Sequence, residues 1–238
     1  MTILKKGKNL LGKTFVIGDI HGCYEELQDL LDKAAVSSDD TIISIGDMVN
    51  KGPESRRVLD FFWHNISPHV SAIMGNHEFK HTRAYRGDII PPISFLYTRW
   101  QLDELYHGAI KYMSHLPRYR LLDDALLVHA YFEPNIPLDQ QQGRVLIGTM
   151  GAASYLQKSY NRPWYTYYNE ARPIIVGHKD LSEKQEPFNY KNRVFGIDTG
   201  CVYGGKLTGI WLPSFEFVSV PARCNHWAKF VERYKDHE

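Results

Sequence analysis

Short polar blocks recur along this chain wherever a run of apolar residues stops, which restricts it to folds in which many strand ends meet. The blocks are Gly18-Asp19-Ile20-His21-Gly22, Gly46-Asp47-Met48-Val49-Asn50-Lys51-Gly52-Pro53 and Gly75-Asn76-His77-Glu78, followed by two late histidines, His129 and His178. Thr14–Ile17, Thr41–Ile45 and Val70–Met74 read as strands ahead of the first three blocks. Tyr24–Ala35 reads as an amphipathic helix, with Leu27, Leu30, Leu31 and Ala34 on one face. A second helix is expected from Pro53, which suits a first helical turn, to about Asn65. Strand, loop and helix in alternation imply parallel strands with crossover helices, and ligand groups in such folds gather at the carboxyl ends of the strands.

From about Lys80 to Arg118 the strand signal disappears. Phe95–His115 reads as helix, so this stretch is expected to be a helical insertion over or beside the site. Ala125–Val128 and Ile174–Val176 read as strands ending at the late histidines. Glu133–Tyr168 reads as loop and short helix. Val194–Ile197, Leu207–Trp211 and Phe215–Val220 have strand character, with Gly204-Gly205 as a turn between strands. The end is therefore antiparallel and the sheets mixed, an α/β (α+β) chain.

The blocks supply two carboxylates, one amide oxygen and three imidazoles, with one imidazole to spare. That is enough for two metal ions sharing a carboxylate, and two metals about 3.5–4 Å apart clamp a phosphoryl group. Asp19 and His21, at i and i+2 of an extended segment, point the same way. Asp47 has two oxygens for two cations, Asn76 offers a neutral oxygen, and His77 points towards a substrate as a general acid. Glu78 can orient ligands from behind. Taken singly, a Gly-Asp after a strand is a common turn and a strand-end His a common structural residue; the repetition carries the reading. A mixed N and O set suits Mn²⁺, Fe or Zn²⁺.

One site drawing on residues 19 to 178 implies one domain spanning 1–238. The content is 43% hydrophobic and 23% charged, with a formal net charge of +1. Near-neutrality leaves no electrostatic footprint for nucleic acid or an anionic membrane. The three cysteines, Cys23, Cys201 and Cys224, are too sparse for a disulfide framework and stand in no zinc-binding spacing, which fits a reducing cytoplasm. Met1 to Lys13 has no apolar core for a signal peptide, and no run approaches a membrane span.

In their order, these blocks resemble the calcineurin-like metallophosphoesterases, and within them the phosphoprotein phosphatases, whose pattern is GDxHG, GDxVDRG, GNHE, a strand-end His and a Gly-His. The resemblance runs from about Phe15 to Ala222. Gly143-Arg144, Asn161-Arg162-Pro163-Trp164, the Gly177-His178 strand, Ile197–Thr208 and Phe217–Pro221 are similar, in that order, to a bacterial branch that includes dinucleoside tetraphosphatases and the phosphatase module of bacterial polynucleotide kinase-phosphatases.

The resemblance implies a four-layer αββα sandwich of two mixed sheets flanked by helices. It implies one metal held by Asp19, His21 and Asp47 and a second by Asp47, Asn76, His129 and His178. A hydroxide bridging them would attack phosphorus in line, with His77 as general acid and no phosphoenzyme. Two departures stand out. Asn50 replaces the family's Asp beside the acid His, which lowers the pKa of His77, and Lys51 replaces an Arg, exchanging a two-pronged phosphate grip for a point charge. Lys51, Arg144 and Tyr203 are candidates for substrate contact, as is Lys179; Arg162 reads as simply solvated. Tyr131 and Phe132 read as core, with a nucleobase stack as the sharper alternative. The leading expectation is a serine/threonine-phosphatase-like hydrolase of phosphomonoesters. A hydrolase of dinucleoside polyphosphates is the alternative, and a metal-holding module without turnover a third.

Overall fold

The computed structural model describes residues 12–64, 69–149 and 151–235. The start of the chain, expected to hold no leader, and Asn65, the expected end of the second helix, lie outside the described residues. The strands are β1 (Thr14–Ile17), β2 (Thr41–Ser44), β3 (Val70–Ala72), β4 (Tyr119–Leu121), β5 (Leu126–Val128), β6 (Ile174–Val176), β7 (Phe188–Tyr190), β8 (Val194–Gly196), β9 (Asp198–Thr199), β10 (Lys206–Leu212) and β11 (Glu216–Pro221). The helices are α1 (Tyr24–Lys33), α2 (Ser55–His64), α3 (Asn76–Arg86), α4 (Ile93–Leu102), α5 (Tyr106–Ser114), α6 (Gly143–Leu146), α7 (Ala152–Ser159) and α8 (His226–Tyr234).

One sheet has the order β11-β10-β1-β2-β3, with β9 paired to β10. Strands β1, β2 and β3 are parallel, while β10 and β11 add antiparallel. The other sheet runs β4-β5-β6-β8-β7, with a parallel centre (β5, β6, β8) and antiparallel edges.

Side-chain alternation sorts the layers, because successive strand residues face opposite ways. Phe15 and Ile17 face α1, α2 and α5, whereas Val16 between them faces the other sheet. Leu126, Val128, Ile174 and Val176 face α6, α7 and Trp164, whereas Leu127 and Ile175 turn inward. The inward set (Val16, Ile43, Ile73, Leu127, Ile175, Phe195, Ile210) is a dry seam between the sheets. Strands apolar on both faces read as continuous runs, which is why they were legible in the sequence. Two mixed sheets flanked by helices are thus the observed architecture, as expected.

Several boundaries differ. The helix expected over Phe95–His115 is two, α4 and α5, broken at Asp103, whose φ of 46° is left-handed. The helical stretch expected from Lys80 begins earlier, because Asn76 already opens α3. Strands β4 and β7 and helix α8 were not anticipated: β4 and β7 are three-residue edge strands with little periodicity to read. No helix among the described residues is long and apolar enough to cross a membrane.

Candidate metal centre

The carboxyl ends of the six parallel strands point to one place. Leaving them in turn are Asp19 after β1, Asp47 after β2, Asn76 after β3, His129 after β5, His178 after β6 and Asp198 after β8. The turns that aim these groups are tight. His21, Asp47, Asn50, Lys51 and His178 all have positive φ, between 48° and 77°, in the left-handed region that costs a non-glycine residue energy. Gly75 and Gly177 make room: a Cβ on Gly75 would stand 2.3 Å from Asp47 Oδ1, and one on Gly177 2.2 Å from Asp19 Oδ1.

Asp47 is the hub. Its Oδ2 lies 3.6 Å from His21 Nε2 and 3.9 Å from His77 Nε2, and its Oδ1 lies 3.4 Å from His129 Nε2. Two groups of ligating atoms therefore share it, His21/Asp47/His77 and Asp47/His129/His178. Asn76 Oδ1 joins the second, 3.0 Å from His129 Nε2 and 2.8 Å from His178 Nδ1. Asp19 stands beside both, its Oδ1 accepting the backbone N–H of His178 at 3.0 Å. His77, expected as the acid, sits at the edge of the first group and donates its backbone N–H to Asp47 Oδ1 at 2.9 Å.

The imidazoles are set as metal ligands would be. His21 Nδ1 lies 3.1 Å from the carbonyl of Val49, and His129 Nδ1 2.8 Å from that of Ile45. A carbonyl can only accept, so each ring donates Nδ1–H and presents Nε2 towards Asp47. Glu78 braces the second block from behind. Its two oxygens accept the backbone N–H groups of Asp47, Met48, Val49 and Gly75 at 2.8–3.3 Å.

Charge is the unsolved element of this nest. Burial, Asp198 and Asp47 push the Asp19 carboxyl well above its usual range, and burial foremost raises Asp198. Burial lifts Glu78 to about 7, with Asp47 adding to it. His129 moves against its own burial to about 10, drawn up by Asp47, Asp19 and Glu78. Burial, with the Lys51 ammonium, lowers His21 to about 3, and burial with His129 does the same to His178. A crowd of buried carboxylates facing the neutral imidazoles of His21 and His178, the His129 ring and an amide oxygen is a donor set that divalent cations fit. Asp19, His21, Asp47, Asn76, His129 and His178 are the residues that can hold them.

Of the substrate candidates, Lys51 is at the centre: its Nζ is 2.9 Å from His21 Nε2 and lies over the Tyr203 ring at 5.0 Å. Tyr203 therefore flanks the same opening. Arg144 lies further out, donating to Gln142 Oε1 at 2.9 Å and resting on Tyr155 at 4.8 Å. Asp198, given no role from sequence, follows the apolar run Val194–Ile197 as the other blocks follow theirs; the same rule would have found it. Phe95, stacked on both His77 and His81, had no local signal. It comes from α4, so the helical stretch packs against His77.

Beside His178 a cleft of about 400 Å³ opens, lined among others by Tyr131, Tyr160, Arg162, Trp164 and Lys179. Tyr131 lies in the core as expected, and its ring meets His178 edge-on, 5.3 Å away, at the inner end of the cleft.

Residues 12–179 match the sequence model of one family, described as calcineurin-like phosphoesterase. The chain belongs to that family. Among curated proteins, this calcineurin-like phosphoesterase is 32% identical to the bis(5'-nucleosyl)-tetraphosphatase PrpE [asymmetrical] of Anoxybacillus flavithermus, over 90% of this chain and 96% of that one. It is 29% identical to the protein of the same description from Oceanobacillus iheyensis, over 89% and 93%. Among solved structures, a candidate diadenosine tetraphosphatase superposes with a TM-score of 0.73 at 26% identity, covering 90% of this chain and 95% of that one. A yeast serine/threonine phosphatase with similarity to human PP5 shares the fold, with a TM-score of 0.57 at 14% identity. The chain is thus a metal-dependent phosphoester hydrolase of this family.

Proposed function

We propose that this calcineurin-like phosphoesterase hydrolyses dinucleoside polyphosphates, cutting a phosphoanhydride within the polyphosphate bridge. The observation that carries the hydrolase reading is the sharing of Asp47, one oxygen facing each group of imidazoles. When bound, two divalent cations of the Mn²⁺, Fe or Zn²⁺ kind supply Lewis-acid polarisation of the phosphoryl group and activation of water. The protein's own residues then orient and discriminate.

Lys51 Nζ, backed by the Tyr203 ring, offers a mobile point charge to phosphate oxygens at the mouth. His77 directs Nε2 into the site. Its Nδ1 is 2.7 Å from Asn50 Nδ2, and the Asn50 oxygen accepts the backbone N–H of Lys51 at 2.9 Å. With the amide held that way round, Asn50 donates to Nδ1, so His77 is neutral with its proton on Nε2. Burial and the Lys51 charge likewise hold its pKa well below the ordinary histidine range. A neutral imidazole gives a hydrogen bond but yields a proton reluctantly. Serine or threonine leaves as an alkoxide that needs that proton, whereas a nucleotide phosphate leaves well as an anion. This selectivity favours an anhydride over the phosphomonoesters that the sequence alone put first. The names of the relatives support the same substrate class.

The cleft supports it from the other side. Tyr160 and Tyr165, half-buried on its wall, can stack a base while Arg162 and Lys179 meet phosphate oxygens, and its volume suits a nucleoside. Substituting Tyr160→Leu should raise KM for diadenosine tetraphosphate about tenfold, as loss of one stacking contact of about 1–3 kcal/mol implies, and leave para-nitrophenyl phosphate unaffected. Equal effects on both substrates would place the nucleoside elsewhere.

A further inference from the structure

All three cysteines of the chain fall in one place, well separated in sequence and on the far side of the first block from the metal centre. Cys23 ends the Asp19–His21 loop at the start of α1. Cys201 opens the short turn Cys201–Tyr203 after β9. Cys224 precedes Asn225, whose side chain caps α8 by accepting the Ala228 N–H at 2.8 Å. Cys23 and Cys201 are buried; Cys23 Sγ donates to the His21 carbonyl at 3.9 Å, and the neighbouring Cys201 thiol, ahead of burial, raises the Cys23 thiol. Taken alone, they are small core residues of the helix-side cluster. Two polar neighbours take the group beyond a core. His226 Nδ1 stands 3.5 Å from Cys224 Sγ, and His226 Nε2 lies 2.7 Å from Glu26 Oε1. Ligating atoms of Cys23, Glu26 and His226 all lie within 4.8 Å of one another.

These distances have a chemical reading. A sulfur and a nitrogen bound to one tetrahedral zinc, at about 2.3 and 2.0–2.1 Å, stand about 3.5 Å apart. A histidine that ligates through one ring nitrogen characteristically donates the other to a carboxylate, as His226 does to Glu26. Glu26 is itself fixed, for it also accepts the Arg223 N–H at 3.0 Å. A disulfide between any two thiols would leave the third, and the His226–Glu26 pair, unexplained. We propose that Cys23, Cys201, Cys224 and His226 form a second, sulfur-rich site for a thiophilic divalent cation of the zinc class, with Glu26 orienting His226. Cys224 and His226 are only partly buried, so the ion enters from their side. Bound there, it staples α8 and the Tyr203 turn to the loop that presents Asp19 and His21. Sequence spacing concealed it, since the sulfurs come from three separate stretches.

Cobalt distinguishes this site from the catalytic one, whose ligand groups contain no sulfur. Reduced protein is titrated with Co²⁺, and the near-ultraviolet thiolate-to-cobalt charge-transfer band is followed in the wild type, Asp47→Asn, Cys224→Ser and His226→Ala. The band should saturate with one ion per chain, survive Asp47→Asn, weaken by one thiolate's share in Cys224→Ser and fade in His226→Ala. Zinc should slow alkylation of Cys224 at least about tenfold relative to the metal-free protein. Wild-type protein that takes up cobalt without this band, a band indifferent to both substitutions, or a Cys224 that alkylates as fast with zinc as without it overturns the proposal.

Discussion

The amide of Asn50 is fixed end for end by its neighbours: Lys51 N–H and the Thr98 hydroxyl approach the oxygen, so the nitrogen faces His77 Nδ1. An aspartate there would accept from Nδ1–H instead and stabilise the imidazolium. Asn50→Asp should therefore raise the pKa of His77, by about one to three pH units for a buried opposite charge. The protonated form then persists to higher pH, so the alkaline limb of kcat on an alkyl phosphate moves up and its rate rises, while anhydride cleavage changes little. A pH–rate profile on both substrates checks this; an unmoved limb would show that His77 is not the titrating acid. Gly148 offers a second test at this scale. Its φ is 66°, and an added Cβ would stand 2.7 Å from His178 Cε1 and Nε2 and from Ala130 Cβ. Gly148→Ala should displace His178 and weaken metal binding about 10–100-fold, the range for disturbing a ligand's support. Isothermal titration with Mn²⁺ measures it.

Elements in this fold were legible in proportion to how they are buried. The strands β1, β2, β5 and β6 are apolar on both faces and end abruptly at a polar block, so their ends and the residues leaving them could be read directly. Edge strands β4 and β7 carry no such run, and α8 follows Cys224 with no apolar approach. The break between α4 and α5 depends on one left-handed residue, Asp103, which periodicity does not register. What holds the first two strands in register is also local. Asp40 accepts from Lys13 N at 2.8 Å, Ser37 N at 2.9 Å and Ser37 Oγ at 2.7 Å, tying the entry of β2 to that of β1. Burial raises its carboxyl, but these donors together outweigh it and the folded pKa is lowered. A depressed acid stabilises the fold above its unfolded pKa, about 3.9, and loses that stabilisation as pH falls through the lower folded value. Asp40→Asn should therefore flatten the fall of the urea midpoint on acidification below about pH 4. An unchanged slope would assign acid sensitivity to other carboxylates.

At the scale of the whole molecule, two sheets close on a seam to which each contributes every second residue of its central strands. Ile175, fully buried there, faces the other sheet while its neighbours Ile174 and Val176 face α6 and α7. Truncation to Ala should cost about 2–5 kcal/mol, seen in denaturant unfolding, and should lower metal affinity, because the seam fixes the spacing of Asp47 and Asn76 from His129 and His178. The candidate metal ligands could be placed from sequence because each lies in a polar block that follows a strand. Asp47 could be read as the shared carboxylate from its two oxygens; which imidazoles face each oxygen could not, since that depends on how the two sheets are set against each other. Nor could the cleft at His178, assembled from α7, the loop after it and the turn after β6, or the convergence of the three cysteines.

The central claim is that this shared-carboxylate centre cuts anhydrides in preference to phosphomonoesters. Its most direct measurement is kcat/KM with Mn²⁺ on diadenosine tetraphosphate and on a phosphoserine peptide, with Asp47→Asn as control. Anhydride cleavage should be faster by at least about a hundredfold, the lower end of what a general acid contributes, and abolished for both substrates by Asp47→Asn. Equal or faster hydrolysis of the phosphopeptide would contradict it.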